Sequence, residues 1–118
     1  MAEIIAGTEK TFDAKIDFDY EDGYPPTINH TEESEKLLNA AKQIVGDGAG
    51  APYLSMGGED FSYFLQKSPG CFFLVGSLPS DKEPLSVPHH CSHFDIDERA
   101  LLIGSSVYLQ LIDNLLIA

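Results

Sequence analysis

The stretch Cys71-Phe72-Phe73-Leu74-Val75 is apolar on both of the faces that a β-strand would present. Strands that bury both faces are typical of α/β domains, in which helices cover a sheet on each side. Ser68-Pro69-Gly70 comes directly before the stretch and Gly76 directly after it, and such residues commonly separate one element from the next. The stretch therefore predicts a buried strand within a layered α/β core, and a second, shorter strand is expected at residues 53–56.

Helical patterns lie before and after this predicted strand. Thr31 is a suitable N-cap for an amphipathic helix of about four turns. Gly57-Gly58 predicts a turn that opens a short helix, and a longer helix is expected at residues 99–116, with Asp95 and Glu98 as a capping box. Apolar residues occupy most of the circumference of that last helix, so we expect it to be largely buried.

The N-terminal part of the chain has a different pattern. Residues 11–20 alternate between apolar and polar side chains, which predicts a strand with one buried and one solvated face. Glycine and two prolines within residues 21–26 favour an extended, turn-rich connection after that strand. A solvated face suits an antiparallel sheet rather than the predicted α/β core. The sequence therefore predicts a boundary between two domains, residues 1–24 and residues 25–118.

The composition limits the class of protein. The chain has 118 residues and is 43% hydrophobic, which is enough for one core. Its 19 acidic and 7 basic residues give a formal charge of -12, which argues against nucleic acid and anionic membranes as partners. The sequence has no pattern typical of an export signal and no apolar run long enough to span a membrane. Its 2 cysteines share no short spacing, which favours free thiols in a reducing cytoplasm.

Three of the four histidines lie in one short loop, at His89, His90 and His93, together with Cys91. Imidazole and thiolate are the usual ligands of zinc and related divalent ions, so this composition favours a metal site. A closed site needs about four ligands, and adjacent residues tend to point in different directions. We therefore expect the loop to supply one or two ligands of a larger site. Composition alone does not distinguish a metal ligand here from a histidine that only makes hydrogen bonds.

A series of motifs spans almost the whole chain. In order, they are Asp19-Tyr20, Gly23-Tyr24-Pro25-Pro26, Asn29, Met56-Gly57-Gly58-Glu59-Asp60-Phe61, Pro69-Gly70, Phe72-Phe73, His90, and Phe94-Asp95 with Glu98. Together they resemble the two-domain, metal-dependent amidohydrolases of the aminoacylase and carboxypeptidase type. The branch they match best contains hippurate hydrolase, N-acetyl-diaminopimelate deacetylase and the plant auxin-conjugate hydrolases.

The resemblance implies a fold for each part of the chain. Residues 1–24 look like the end of the family's lid domain, a dimerisation-type domain, and contain the end of the last helix and the last strand of its α+β fold. Residues 25–118 look like the C-terminal part of the layered α/β catalytic domain. The family's other metal ligands and its catalytic glutamate have no counterpart here. The chain therefore resembles roughly the C-terminal third of such an enzyme, and we expect it to be inactive alone.

The resemblance also implies positions for a site. His90 falls on the family's final metal ligand, and Gly57, Gly58 and Glu59 fall on a segment beside its substrate pocket, where Gly58 stands in place of a serine. Glu59 and Asp60 are two carboxylates, which hydrolysis can use as general acid and base. Acidic residues in a first helical turn are, however, commonly there to cap the helix and to complement its dipole. We therefore expect Glu59 to shape the pocket, and we assign no catalytic residue to this chain.

The activity implied is hydrolysis of the amide bond of N-acyl amino acids or small peptide-like substrates. A pair of divalent ions, zinc, manganese or cobalt, would polarise the amide carbonyl and activate a water. The partners implied are the small-molecule substrate and either a second copy of the chain or the missing N-terminal portion. Two alternatives stay open: a non-catalytic interaction remnant of the same fold, and a small independent zinc-binding protein that uses His89, His90, Cys91 and His93 together.

Overall fold

The computed structural model describes residues 1–50, 54–84 and 86–117. Within these ranges the regular structure is helical, and the predicted strands are not formed. The elements are α1 (Ala2–Phe12), α2 (Thr31–Val45) with a 3-10 turn after it (Gly46–Gly48), α3 (Phe61–Leu65) and α4 (Arg99–Leu116). The predicted strand at residues 53–56 falls partly outside the described residues, and residues 54–56 have no regular structure.

The predicted N-terminal strand is wrong. Helix α1 continues to Phe12, and Asp13 ends it in the left-handed conformation, with φ 47° and its N–H donating to the carbonyl of Glu9. The N–H of Ile16 donates to the Glu9 carboxylate at 2.8 Å, and the following residues continue without regular structure. A strand is stable only when a neighbouring strand pairs with its backbone. None of the described residues supplies that neighbour, so the alternating pattern does not produce a strand.

Helices α2 and α4 pack against each other and bury the largest part of the core. Leu37 and Ala40 of α2 and Val107 of α4 are buried, whereas Leu38 and Ile44, two apolar residues of the α2 pattern, are exposed. Helix α2 begins at Thr31 as expected, but its N-cap is His30, and no side chain caps it. It ends at Gly46, whose φ of 57° suits a residue without a Cβ.

Helix α4 has the predicted bounds but not the predicted burial. Val107 is its one buried residue among those described, and seven large apolar side chains of the helix are exposed. They are Leu101, Leu102, Tyr108, Leu109, Ile112, Leu115 and Leu116. The capping box is wrong too, because Glu98 makes no capping hydrogen bond and Asp97 instead accepts from the N–H of Arg99 at 3.0 Å.

Residues 71–75 form no β-strand, and their side chains contact several helices. The Phe72 ring packs on Phe61 of α3, with ring centroids 5.6 Å apart. The Phe73 ring packs on Tyr108 of α4 at 5.4 Å, and Val75 approaches Gly104 of the same helix. Neighbouring side chains of the segment therefore contact different helices. The described residues form no sheet, so the predicted α/β layering is not formed among them.

The start of α2 is held to this segment by side-chain amide and imidazole groups. The Asn29 side chain accepts from the N–H of Phe72 and donates to its carbonyl, each at 2.7 Å. The N–H of His30 donates to the carbonyl of Gly70 at 3.1 Å, and the N–H of Gly70 lies 3.2 Å from His30 Nδ1. Asn29 thus takes the place of a neighbouring strand at Phe72.

Candidate functional site

The histidine loop is a series of turns on the surface. His90 has a left-handed backbone with φ 62°, and its side chain is exposed. The His89 ring packs edge-on against Phe94, with centroids 5.0 Å apart, and lies 6.4 Å from the His90 ring. The thiol of Cys91 donates to the carbonyl of Pro88 at 2.8 Å. The loop therefore gives His89 and Cys91 local partners and leaves the His90 imidazole exposed to solvent.

The described residues contain no group of three or more His, Cys, Asp or Glu side chains that could hold a metal ion. His89, His90, Cys91 and His93 therefore form no such group in the described part of the chain. The donor chemistry of His90 still fits a single ligand, since an exposed imidazole offers a nitrogen to a metal that other segments help to hold.

The base of this loop is closed by the start of α4. The N–H of Asp97 donates to the carbonyl of Ser77 at 2.8 Å. The Asp97 carboxylate forms a bidentate hydrogen bond with the Arg99 guanidinium and also accepts from the backbone N–H of Arg99. These bonds, led by the one from the Arg99 side chain, lower the pKa of Asp97 to about 2. Sequence reasoning missed Asp97, because only the fold brings it beside Ser77.

The Glu59 carboxylate is used by the backbone. Its Oε1 accepts from the N–H of Phe61 at 3.0 Å, at the first residue of α3. The Glu59 carbonyl accepts from the Ser62 hydroxyl at 2.6 Å, and Ser62 is fully buried. Glu59 thus bonds the first N–H of α3 from outside the helix, whose first turn contains no acidic residue, so the predicted place of Glu59 and Asp60 in that turn is wrong. Asp60, the N-cap residue of α3, makes no capping hydrogen bond with its side chain.

Gly58 lies directly beneath an aromatic ring. A Cβ added at Gly58 would lie 3.0 Å from Cδ2 of Tyr24, closer than real Cβ atoms normally come to a neighbour. The Tyr24 ring in turn packs edge-on against Tyr63 of α3 at 6.0 Å. A serine at position 58 would therefore push on the ring. Tyr24 belongs to one of the sequence motifs, but the sequence has no signal that it contacts Gly58.

The structure thus joins some of the candidate residues and leaves others apart. It brings Gly58 and the start of α3 against Tyr24, at the predicted boundary between the two domains. No hydrogen bond, ion pair or ring contact within the described residues joins Gly57, Gly58 or Glu59 to His90.

The described helices also include none long and apolar enough to cross a membrane.

The sequence profile of peptidase family M20/M25/M40 matches residues 4–114. The chain belongs to this family. YhaA of Bacillus subtilis (strain 168), named "Putative amidohydrolase YhaA", is 37% identical over 107 residues, which cover 88% of this chain and 26% of YhaA. "Thermostable carboxypeptidase 1" of Saccharolobus solfataricus is 38% identical over 85 residues, which cover 72% of this chain and 21% of that protein. "Uncharacterized hydrolase SH1513" of Staphylococcus haemolyticus is 33% identical over 116 residues.

These comparisons confirm the family that the motifs predicted, and with it membership of a group of amidohydrolases and peptidases. The chain spans about a quarter of the length of the curated relatives that it matches. The family also implies an α/β fold, although the described residues form helices and no sheet. No solved structure matches the chain.

Proposed function

We propose that this chain is the C-terminal portion of a metal-dependent amidohydrolase that cleaves the amide bond of N-acyl amino acids or small peptide-like substrates. The observation that carries the proposal is the family match over residues 4–114, in a chain that covers only 26% of YhaA. Residues 1–24 belong to the lid domain and residues 25–118 to the catalytic domain. The protein is cytoplasmic, in keeping with its free thiols.

His90 contributes one metal ligand in this proposal. Its imidazole is exposed on a turn, and it has no hydrogen bond within the described residues. A pair of divalent ions, zinc, manganese or cobalt, supplies a polarised carbonyl and an activated water when bound. One imidazole cannot hold such a pair, and the remaining donors must come from another segment. This is why we expect the chain to be inactive alone.

Gly57, Gly58 and Glu59 form part of the pocket wall. The carboxylate of Glu59 is committed to the N–H of Phe61, so its contribution is to set the path of the backbone. Gly57 and Gly58 are exposed and present main chain without side chains, which lets a substrate approach the backbone closely. The Tyr24 ring lies on Gly58, so this part of the wall contacts the last residue of the proposed lid domain.

The test is hydrolysis of N-acetyl and N-benzoyl amino acids with manganese, cobalt or zinc added. The chain alone is expected to give no turnover, and turnover is expected after it is combined with the part of YhaA outside the matched residues. His90→Ala should abolish that turnover, whereas His93→Ala is the matched control and should retain most of it. Metal-dependent turnover by the chain alone, lost in His90→Ala, would show that it assembles a complete site and would refute the proposal.

The alternative is a non-catalytic interaction remnant of the same fold. The exposed apolar residues of α4 favour it, because so much apolar surface on one helix is typical of an interaction site. The same experiment separates the two: stable binding to the remainder of a family hydrolase, without turnover of any substrate, would support the remnant.

A further inference from the structure

The main chain of residues 54–58 is tied to the rest of the described structure by hydrogen bonds at one end only. At that end, the Glu59 carbonyl accepts from the buried Ser62 hydroxyl of α3 at 2.6 Å. Within the segment, the N–H of Gly57 donates to the Ser55 hydroxyl at 3.0 Å, which joins near neighbours. No hydrogen bond joins residues 54–58 to a described residue more than two positions away. The position of this segment therefore depends on side-chain packing.

The Tyr24 ring supplies that packing at Gly58. A Cβ added at Gly58 would meet three atoms along one side of the ring, Cδ2 at 3.0 Å, Cε2 at 3.7 Å and Cγ at 4.0 Å. The ring thus already occupies the space that a side chain at position 58 would need. Leu54 and Met56, the large side chains of the same segment, are 94% and 103% exposed and hold nothing in place.

The ring is itself restrained from two directions. Pro25 follows Tyr24, and a residue before proline is restricted to extended conformations, which limits where the ring can lie. Tyr63 of α3 packs edge-on against the ring, with centroids 6.0 Å apart and planes at 80°. Edge-on packing is a preferred arrangement of two aromatic rings. Because both restraints act together, the ring cannot move aside freely when the main chain at Gly58 pushes on it.

The hydrogen bonds of Asn29 complete the restraint. Asn29 lies five residues after Tyr24 and bonds both backbone groups of Phe72, each at 2.7 Å. The Phe72 ring packs on Phe61 of α3, with centroids 5.6 Å apart. The link from Tyr24 to Asn29 therefore contacts α3 at both of its ends, at Tyr63 directly and at Phe61 through Phe72. Its two prolines restrict φ, so this closed set of contacts leaves the ring little freedom.

We propose that Tyr24 is a positioning residue, whose ring takes the place of the missing side chain at Gly58 and fixes the main chain of Gly57 and Gly58. The inference rests on the proposed function for the statement that this main chain lines the substrate pocket. Without the ring, residues 54–58 keep only the anchor at Glu59, and the wall moves away from a bound substrate. Tyr24 and Gly58 are then a matched pair, in which the ring requires glycine at position 58.

Backbone order parameters of the chain test the positioning without any partner. Tyr24→Leu removes the ring, so the order parameters of Gly57 and Gly58 should fall from the roughly 0.85 of a rigid backbone to about 0.6 or lower. Tyr24→Phe keeps the ring and should retain the original values. Tyr108→Leu is the matched control, because Tyr108 is also 57% exposed and also packs edge-on, against Phe73. Equal values in Tyr24→Leu and Tyr108→Leu would overturn the inference.

A double-mutant cycle tests the matched pair independently. Gly58→Ser is introduced into the original chain and into the Tyr24→Leu variant, and the equilibrium constant of unfolding in urea is measured for all four chains. Gly58→Ser should raise this constant at least about fivefold when the ring is present, and less than about twofold when it is absent. The effect of replacing glycine on the unfolded chain is common to both comparisons and cancels. An equal effect in both would contradict the matched pair.

Kinetic constants separate this inference from the proposed function. In the mixture with the part of YhaA outside the matched residues, Tyr24→Leu should raise KM at least about fivefold and change kcat less than about twofold, because a displaced wall weakens the binding of substrate and transition state alike. Tyr24→Phe should retain both constants. An unchanged KM in Tyr24→Leu would overturn the role of Tyr24 in the pocket. Absence of turnover with the original chain would refute the proposed function and the pocket role together, whereas the order parameters would still decide whether the ring fixes the main chain.

Discussion

Replacing Asn29 with alanine tests the strand-like pairing at Phe72 most directly. The change removes two hydrogen bonds, one to the N–H and one to the carbonyl of Phe72, each 2.7 Å long. Asn29 is exposed, so water replaces part of what is lost, and each bond is worth the lower end of the usual range. Two bonds at about 0.5–0.8 kcal/mol each give a loss of roughly 1–1.6 kcal/mol.

The assay is amide exchange at Phe72 together with urea unfolding. A loss of about 1.4 kcal/mol corresponds to a tenfold change in an equilibrium constant, so exchange at Phe72 should accelerate about tenfold in Asn29→Ala. Asn114→Ala is a matched control, because it removes one side-chain hydrogen bond, from Gln110 on α4, far along the chain from this segment. The reasoning is refuted if Phe72 exchanges at the same rate in both variants.

Three further outcomes are expected. Gly58→Ser should displace the Tyr24 ring, because the new Cβ would lie 3.0 Å from it, and the change should be visible as a shift of the tyrosine ring resonances; unchanged resonances would contradict the contact. The pKa of Asp97 is lowered to about 2, so its ionised form stabilises the fold above its ordinary pKa of 3.8, and that stability is lost as the pH falls from there towards 2; Asp97→Asn should remove this part of the acid dependence in a pH series of urea unfolding curves. In the complex with the remainder of YhaA, His90→Ala should weaken zinc binding by at least about tenfold in calorimetry, while His93→Ala should bind zinc as before.

The helices were predictable because their signals are local. The period of the apolar residues and the glycine after it predicted α2, and Gly46 does end that helix in a positive-φ conformation. The final helix was predicted with the same bounds as α4. Hydrogen bonds within a helix join residues close in sequence, so the pattern that predicts the helix also contains every partner it needs.

The strands were not predictable in the same way. Residues 11–20 and residues 71–75 have patterns typical of strands, and neither forms one in the described structure. A strand takes its hydrogen bonds from residues far away in sequence. At Phe72 that partner is the side chain of Asn29, 43 positions away, which no pattern in residues 71–75 indicates.

The prediction that α4 is largely buried was wrong for a related reason. The apolar residues around its circumference predicted a buried helix, and the structure buries Val107 alone among its described residues. Burial depends on what lies against each face, and in this chain α2 and residues 73–75 cover one side of α4. The apolar pattern of α4 indicates that other residues should pack on its faces, but it does not indicate which residues those are.

For the site, the sequence by itself determined the chemistry that is available. The motifs indicated the family, which the match over residues 4–114 confirms, and the resemblance placed a metal ligand at His90, which stays a prediction. Only the tertiary structure decided how those groups are arranged. It groups no three candidate metal ligands within the described residues, uses the Glu59 carboxylate to accept from the N–H of Phe61, and places Tyr24 on Gly58. The physical reason is range: residue type and local spacing determine which atoms can react or coordinate, whereas distances between segments depend on contacts that form only when the chain folds.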